Sequence, residues 1–209
     1  MNNNLKDKSL TQGSKAAKSG ADFEKQTEQL FDFPTFDHNQ FRWLSTIGRL
    51  PDNFAIRQFP YNNYQKRIAS LFPKINILPP RKRGKRGKPT SIDYRLSLKL
   101  ATGQRKYINL EDKFQEKDGS VEDKVILSIL NLMYAEPTDD GIVLLGGIKL
   151  MEQIDFYQVH TEIVYQSNIW LKEYGLEANK VQIMTLDNLS LYLDGLKVTP
   201  PQLELACCA

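Results

Sequence analysis

Asp93, Glu111 and Lys113 are the residues whose types and spacing could do chemistry in this chain. Seventeen residues separate Asp93 from Glu111, and a single residue separates Glu111 from Lys113. Two carboxylates brought to one point repel unless a cation neutralises them, and hard oxygen ligands favour Mg²⁺ over zinc. A cation held there would polarise a phosphoryl oxygen and lower the pKa of a bound water. A lysine beside it adds a compact point charge that steadies the attacking water or the developing negative charge. The set suits phosphodiester hydrolysis, with Asp93 and Glu111 as metal ligands, Mg²⁺ as the cofactor and Lys113 as their catalytic partner.

Two strands have to bring these groups together. In residues 91–100 every second residue is apolar (Ile92, Tyr94, Leu96, Leu98, Leu100), and Asp93, Arg95, Ser97 and Lys99 alternate with them. That period of two is the pattern of a half-buried strand. Residues 101–104 read as a turn in which Gly103 can take a positive φ. The returning segment, 105–115, is rich in β-formers, and Glu111 and Lys113 fall on one face of it, roughly 6.8 Å apart. Pairing across the turn brings Asp93 close to that face. The triplet Glu122-Asp123-Lys124 repeats the same spacing. It opens a helical run, where residues two apart do not face each other, so it reads as a solvated first turn.

The segments Pro89-Thr90-Ser91-Ile92-Asp93 and Leu110-Glu111-Asp112-Lys113 together resemble the metal site of the PD-(D/E)XK nuclease superfamily. The resemblance implies an α/β protein with a restriction-endonuclease-like core, a central mixed β-sheet flanked by helices. It is reinforced by Phe114-Gln115, the Gly119-Ser120 turn and the helix that follows, and it implies that Gln115 and Lys124 lie near DNA. Upstream, Ser19-Gly20-Ala21-Asp22-Phe23-Glu24 resembles the first helix of that fold, where a glutamate, here Glu24, assists the metal site. The order of elements fits over residues 19–185, with the specific part confined to 93–124. Two departures stand out. Pro89 lies three residues further from Asp93 than adjacency would place it. Asp112 fills a position that is usually apolar, as an extra ligand, a structural ion-pair partner or a sign of a less buried strand edge; the structural role is favoured.

At 209 residues the chain suits one domain with a real core. We expect a flexible tail over residues 1–13 and a single nuclease domain over 14–209. The net charge of +3 is modest, so affinity for nucleic acid has to come from clustering. Arg81, Lys82, Arg83, Lys85, Arg86 and Lys88 supply six cations in eight positions, directly before the Asp93 strand. Such a run can be a solvated charge tract or a localisation tag; beside a phosphodiesterase site, contact with the DNA backbone is favoured. The two cysteines, Cys207 and Cys208, cannot staple a core, which predicts a reducing, cytoplasmic setting. The two histidines, His38 and His160, are far apart, which argues against a histidine-metal site. No stretch is apolar enough to suggest a membrane span, and no partner membrane is expected.

Further periodicities predict helices over 15–30, 121–135 and 159–174. Strands are predicted over 141–146 and 180–184, with a last helix capped by Thr185 or Asp187. Residues 31–50 read as aromatic and irregular, with Phe36, Phe41 and Trp43 as core groups. The helix over 121–135 is apolar all round, so it is either buried in the core or the interface of a homodimer. The resulting expectation is a metal-dependent endonuclease acting on double-stranded DNA, of the Type II restriction kind, working as a homodimer on a palindrome. The alternatives are a DNA-repair or junction-cleaving nuclease on the same fold, and a non-catalytic basic nucleic-acid-binding protein.

Overall fold

Apolar alternation in residues 91–98 and its return partner builds the centre of a six-stranded sheet. The structure is a computed structural model and describes residues 12–60, 91–116, 122–134, 140–167 and 178–197. In chain order the elements are α1 (Gln12–Gln29), β1 (Thr35–Phe36), α2 (His38–Thr46), β2 (Phe54–Pro60), β3 (Ser91–Lys99) and β4 (Arg105–Phe114). They are followed by α3 (Glu122–Tyr134), β5 (Asp140–Gly146), α4 (Ile148–Met151), α5 (Ile154–Ser167), β6 (Val181–Met184) and α6 (Leu186–Lys197). The strands lie side by side in chain order. β2, β3 and β4 pair antiparallel, whereas β1–β2, β4–β5 and β5–β6 are parallel. The molecule is therefore α/β with a mixed sheet flanked by helices, and the hairpin turn carries Gly103 at φ +81 as its sequence requires.

Each face of the sheet buries its own apolar cluster. Phe23 and Phe31, at the α1 end of the chain, pack with Leu189 and Leu193 of α6 over Tyr94, Leu96, Leu110 and Ile142. On the opposite face, Val125, Ile129, Leu132 and Met133 of α3 join Tyr157 of α5 over Val143, Leu145 and Ile183. β5 is buried along its whole length, because Val143 and Leu145 feed one cluster and Ile142 and Leu144 the other. That double burial is why it reads as a continuous apolar run rather than an alternating one. The all-round apolarity of α3 is spent mainly on this core, with Leu127 left outward.

Several expectations are corrected. Residues 31–50 are not irregular: they hold β1 and α2. The α2 N-terminus is a capping box in which the Asp37 carboxylate accepts from the Asn39 and Gln40 backbone N–H groups (2.8 and 2.9 Å) while Gln40 accepts from Asp37 N–H. Trp43 is not a core residue, being 62% exposed, and Phe41 and Phe36 instead flank Phe54 on β2. β2 itself is a strand the alternation does not announce, since Phe54, Ala55 and Ile56 are all buried in succession. The helix expected over 159–174 begins earlier, at Ile154, and 168–174 lies outside the described residues. Thr185 does cap α6, accepting from Asn188 N–H at 3.2 Å.

The end of β4 is held by close backbone contact. Gln115 N–H donates to the Gly146 carbonyl (3.0 Å), and Lys149 N–H donates to the Gln115 carbonyl (3.2 Å). A Cβ on Gly146 would meet the Phe23 ring at 2.2 Å, and one on Gly147, at φ +83, would meet the Gln115 carbonyl oxygen at 2.3 Å. Gly146→Ala therefore has to displace Phe23 from the core. We expect a loss of about 2 kcal/mol, seen as a Tm lowered by roughly 4–8 °C in a thermal melt. An unchanged Tm would show that α1 does not pack this closely on β5.

Candidate active site

The strand pairing closes normally as far as the rung joining Tyr94 to Leu110, and then the pattern breaks. On the other side of β3, Arg57 pairs with Tyr94 and Phe59 with Ile92, but the ladder skips Gln58 and Asp93. Gln58 has φ +49, a left-handed conformation that is uncommon for a residue with a side chain. The break turns the strands over locally. Tyr94, Leu96 and Leu98 point to the α1 face, yet Ile92 joins the cluster under α3, and Phe59 packs there too. This departs from the expectation that every second residue from Ile92 onward shares one face.

Side chains replace the missing ladder bonds. Gln58 donates to Asp93 Oδ1 (3.3 Å) and accepts from the Ser91 hydroxyl (3.0 Å). Asp93 Oδ2 in turn accepts from the Asp112 backbone N–H at 2.9 Å, so its carboxylate is fastened to β4. Strand alternation sets Glu111 and Lys113 on one face of β4. The Lys113 ammonium lies 2.6 Å from Glu111 Oε2, 2.9 Å from the Asp112 carbonyl oxygen and 3.6 Å from Asp93 Oδ2. Asp93, Glu111 and Lys113, selected by sequence, are thus brought to one point. Three oxygens face a single positive charge there.

The electrostatics follow from burial. Glu111 is only 8% exposed; desolvation lifts its pKa to about 7, with Lys113 opposing and Asp93 adding to the rise. Burial would lower the Lys113 pKa, but the carboxylates of Glu111 and Asp93 outweigh it and hold the ammonium charged. Glu24 on α1 is exposed and still belongs to this neighbourhood. Its pKa is raised by partial burial and then by Asp93 and Glu28, with Lys113 and Arg57 pulling it back. α1 is fixed to the sheet, on the face opposite Glu111 and Lys113, by the Tyr94 hydroxyl, which donates to the Glu24 carbonyl (3.2 Å) and to Glu28 Oε1 (3.0 Å), and by the Arg57–Glu28 ion pair.

Asp112 points to the opposite face of β4, toward α1. Its two carboxylate oxygens have no hydrogen-bond partner among the described residues. The Thr27 hydroxyl nearby donates instead to the Phe23 carbonyl at 3.2 Å. Burial, and then the charge of Asp93, raise the Asp112 pKa to about 8. Its backbone serves the cluster, whereas its side chain sits beneath α1.

The other sites expected from sequence are less gathered. Gln115 is buried beyond the end of β4, where its backbone meets Gly146 and Lys149. Lys124 is exposed in the first turn of α3. Arg81, Lys82, Arg83, Lys85, Arg86 and Lys88 lie outside the described residues. Sequence reasoning missed Gln58, whose signal is slight: a polar residue beside Arg57, two before Pro60, in a segment whose other residues are apolar.

The donor set fits a hard divalent cation in kind. Carboxylate oxygens of Asp93 and Glu111 and the Asp112 carbonyl already surround one cationic group, and such oxygens are what Mg²⁺ takes. Among the described residues no group of three or more His, Cys, Asp or Glu side chains is arranged to hold a metal ion. Comparison with known proteins adds no relative: no family model matches the chain, and neither a curated protein nor a solved structure matches it.

The Asp112 carboxyl gives a pH test. Folding raises its pKa from 3.8 to about 8, so between those values the folded chain binds more protons than the unfolded one. Stability from this group is complete below the lower value and is lost as pH rises through the upper one. Asp112→Asn keeps the shape and removes the titration. The metal-free variant is expected to gain in Tm over the parent as pH goes from 5 to 8, by roughly 4–8 °C for about 2 kcal/mol. A gap that stays constant across that range would show the carboxylate to be ionised and partnered in the folded state.

Proposed function

We propose that this chain is a metal-dependent DNA endonuclease of the restriction-endonuclease-like, PD-(D/E)XK kind, most simply a Type II restriction endonuclease. The observation that carries the reading is the convergence of Asp93, Glu111 and the Asp112 carbonyl on the Lys113 ammonium at a break between paired strands. The order of elements supports it: a helix, an antiparallel three-strand meander carrying the carboxylates, then two parallel strands reached through helices.

Asp93 and Glu111, with the Asp112 carbonyl, would hold Mg²⁺. Bound there, the cation would supply a Lewis acid for a phosphoryl oxygen and lower the pKa of water. The chain's own groups do the rest. Gln58 and the Asp112 N–H orient the Asp93 carboxylate. Lys113, kept charged by its neighbours, offsets negative charge that develops on the phosphate. Glu24, close enough to exchange electrostatic influence with Asp93 and Lys113, would assist the metal site. The Tyr94 hydroxyl, bonded to the Glu24 carbonyl, would hold that part of α1 near the edge where Asp93 lies.

Cleavage of supercoiled plasmid in Mg²⁺, with and without chelator, tests the reading. Asp93→Ala and Glu111→Ala are expected to lower cleavage by at least about 100-fold, while each variant keeps a cooperative melt. Lys113→Ala should reduce turnover comparably yet still bind DNA in Ca²⁺. Full activity in Asp93→Ala would refute the site. Discrete fragments favour restriction, and cutting confined to branched or damaged substrates favours a repair or junction nuclease.

A second reading has an observation of its own. Lys113 is itself satisfied by the surrounding oxygens, as in a structural ion-pair cluster of a non-catalytic nucleic-acid-binding protein. DNA binding without Mg²⁺-dependent cutting would select it.

The assembly is proposed as a homodimer on double-stranded DNA, since one such cluster breaks one strand. No described helix is long and apolar enough to cross a membrane.

A further inference from the structure

Three apolar side chains of α5 stand outside the core in a row. Phe156, Val159 and Ile163 are 57%, 59% and 59% exposed, although the same helix packs inward through Tyr157 and Thr161, both buried. Spacings of three and four residues set the three on one face of a helix. Just upstream, α4 leaves Ile148 and Met151 outside as well. Five of the ten exposed large apolar residues among the described ones thus fall between 148 and 163.

We infer that this stripe of α5 is the surface on which a second copy of the chain docks, the two helices crossing antiparallel on a two-fold axis at Val159. The inference deepens the homodimer of the proposed function and rests on that reading for the number of copies, while the surface itself calls for no DNA. The stripe is nearly symmetric about its smallest member, because Phe156 lies three residues before Val159 and Ile163 four after it. A two-fold axis there sets Val159 against its own counterpart, and Phe156 of each copy against Ile163 of the other. The small residue at the centre lets the helices come close. The larger ones fill the space where the helices diverge.

The area agrees with this occupant. The five side chains present on the order of 500 Å² of apolar surface, and a homodimer interface of standard size buries about 800 Å² per copy, roughly 65% of it apolar. The Phe156 ring is also held ready for docking. His160 stacks on it with centroids 5.9 Å apart, and Tyr157 meets it in a T-shape at 5.4 Å, so little freedom is lost on association. Asp155 and Glu162, each next to a member of the stripe, are exposed. These carboxylates turn away a nucleic-acid backbone or an anionic membrane. In a crossed pair they lie on the diverging flanks, in water.

Sedimentation equilibrium of the full chain across the micromolar range, without DNA or Mg²⁺, tests the surface. The wild type is expected to form a dimer. Val159→Asp sets a charge against its own copy on the axis and should weaken that dimer at least about 100-fold while keeping a cooperative melt. Leu191→Asp, at a more exposed apolar position on α6 (71%), should leave association unchanged. With Cys207→Ser and Cys208→Ser in place, Val159→Cys should form an intermolecular disulfide on mild oxidation, since a residue on the axis meets its own counterpart. Leu191→Cys should not. A wild type that stays monomeric throughout leaves the stripe to a different protein and overturns the inference, even where the chain cleaves DNA. A dimer that Val159→Asp leaves intact overturns it as well. A dimer lost in Val159→Asp, from a chain that never cleaves in Mg²⁺, upholds the surface and removes the nuclease reading instead.

Discussion

A single buried ammonium lets two carboxylates stand together at the end of this sheet. Glu111 and Asp93 repel one another at close range, and burial pushes the Glu111 carboxyl toward its neutral form. The Lys113 ammonium, 2.6 Å from one and 3.6 Å from the other, supplies the opposite charge. The arrangement is reciprocal, because burial alone would discharge the lysine and the carboxylates keep it charged. The cluster therefore carries its own counter-charge, an amine already in place among the oxygens.

Holding that cluster requires the sheet to open. A regular ladder would bury the backbone of Asp93 between two neighbours and aim its side chain away from β4. Skipping the Gln58–Asp93 rung, at the cost of a left-handed glutamine, frees the carboxylate to accept from Asp112 N–H. The same break carries Phe59 and Ile92 to the face beneath α3, so the local inversion is secured by apolar burial on one side and hydrogen bonds on the other. A left-handed backbone at a residue with a side chain is a strained conformation. Here it is balanced by contacts from both faces of the sheet.

The tethering of α1 extends this logic. Phe23 fits against the bare backbone of Gly146, Tyr94 reaches up to the Glu24 carbonyl, and Arg57 pairs with Glu28. These contacts fix a helix over the α1 face of β4, with the Asp112 carboxyl beneath it and Glu24 near the edge where Asp93 lies. One helix thus links the apolar core to the electrostatics of the site.

The sequence by itself determined the hairpin, its turn at Gly103, the buried run of β5 and the placing of Glu111 and Lys113 on one side of β4. All of these follow from alternation, local turn chemistry and the fixed period of a strand, which act over a few residues. It also singled out Asp93 by spacing and resemblance. Capping at Asp37-x-x-Gln40 was legible too, though the aromatic crowding of 31–50 masked it. Only the tertiary structure decided that Ile92 and Phe59 turn to the face opposite Tyr94, that Gln58 orients Asp93, that Trp43 faces outward, and that Arg95 lies against Phe59 and Tyr107. The reason is range. A break in a ladder, the Phe23 ring packed on Gly146 far along the chain, or a cation resting on a ring from another strand depends on partners distant in sequence, and no local period encodes them.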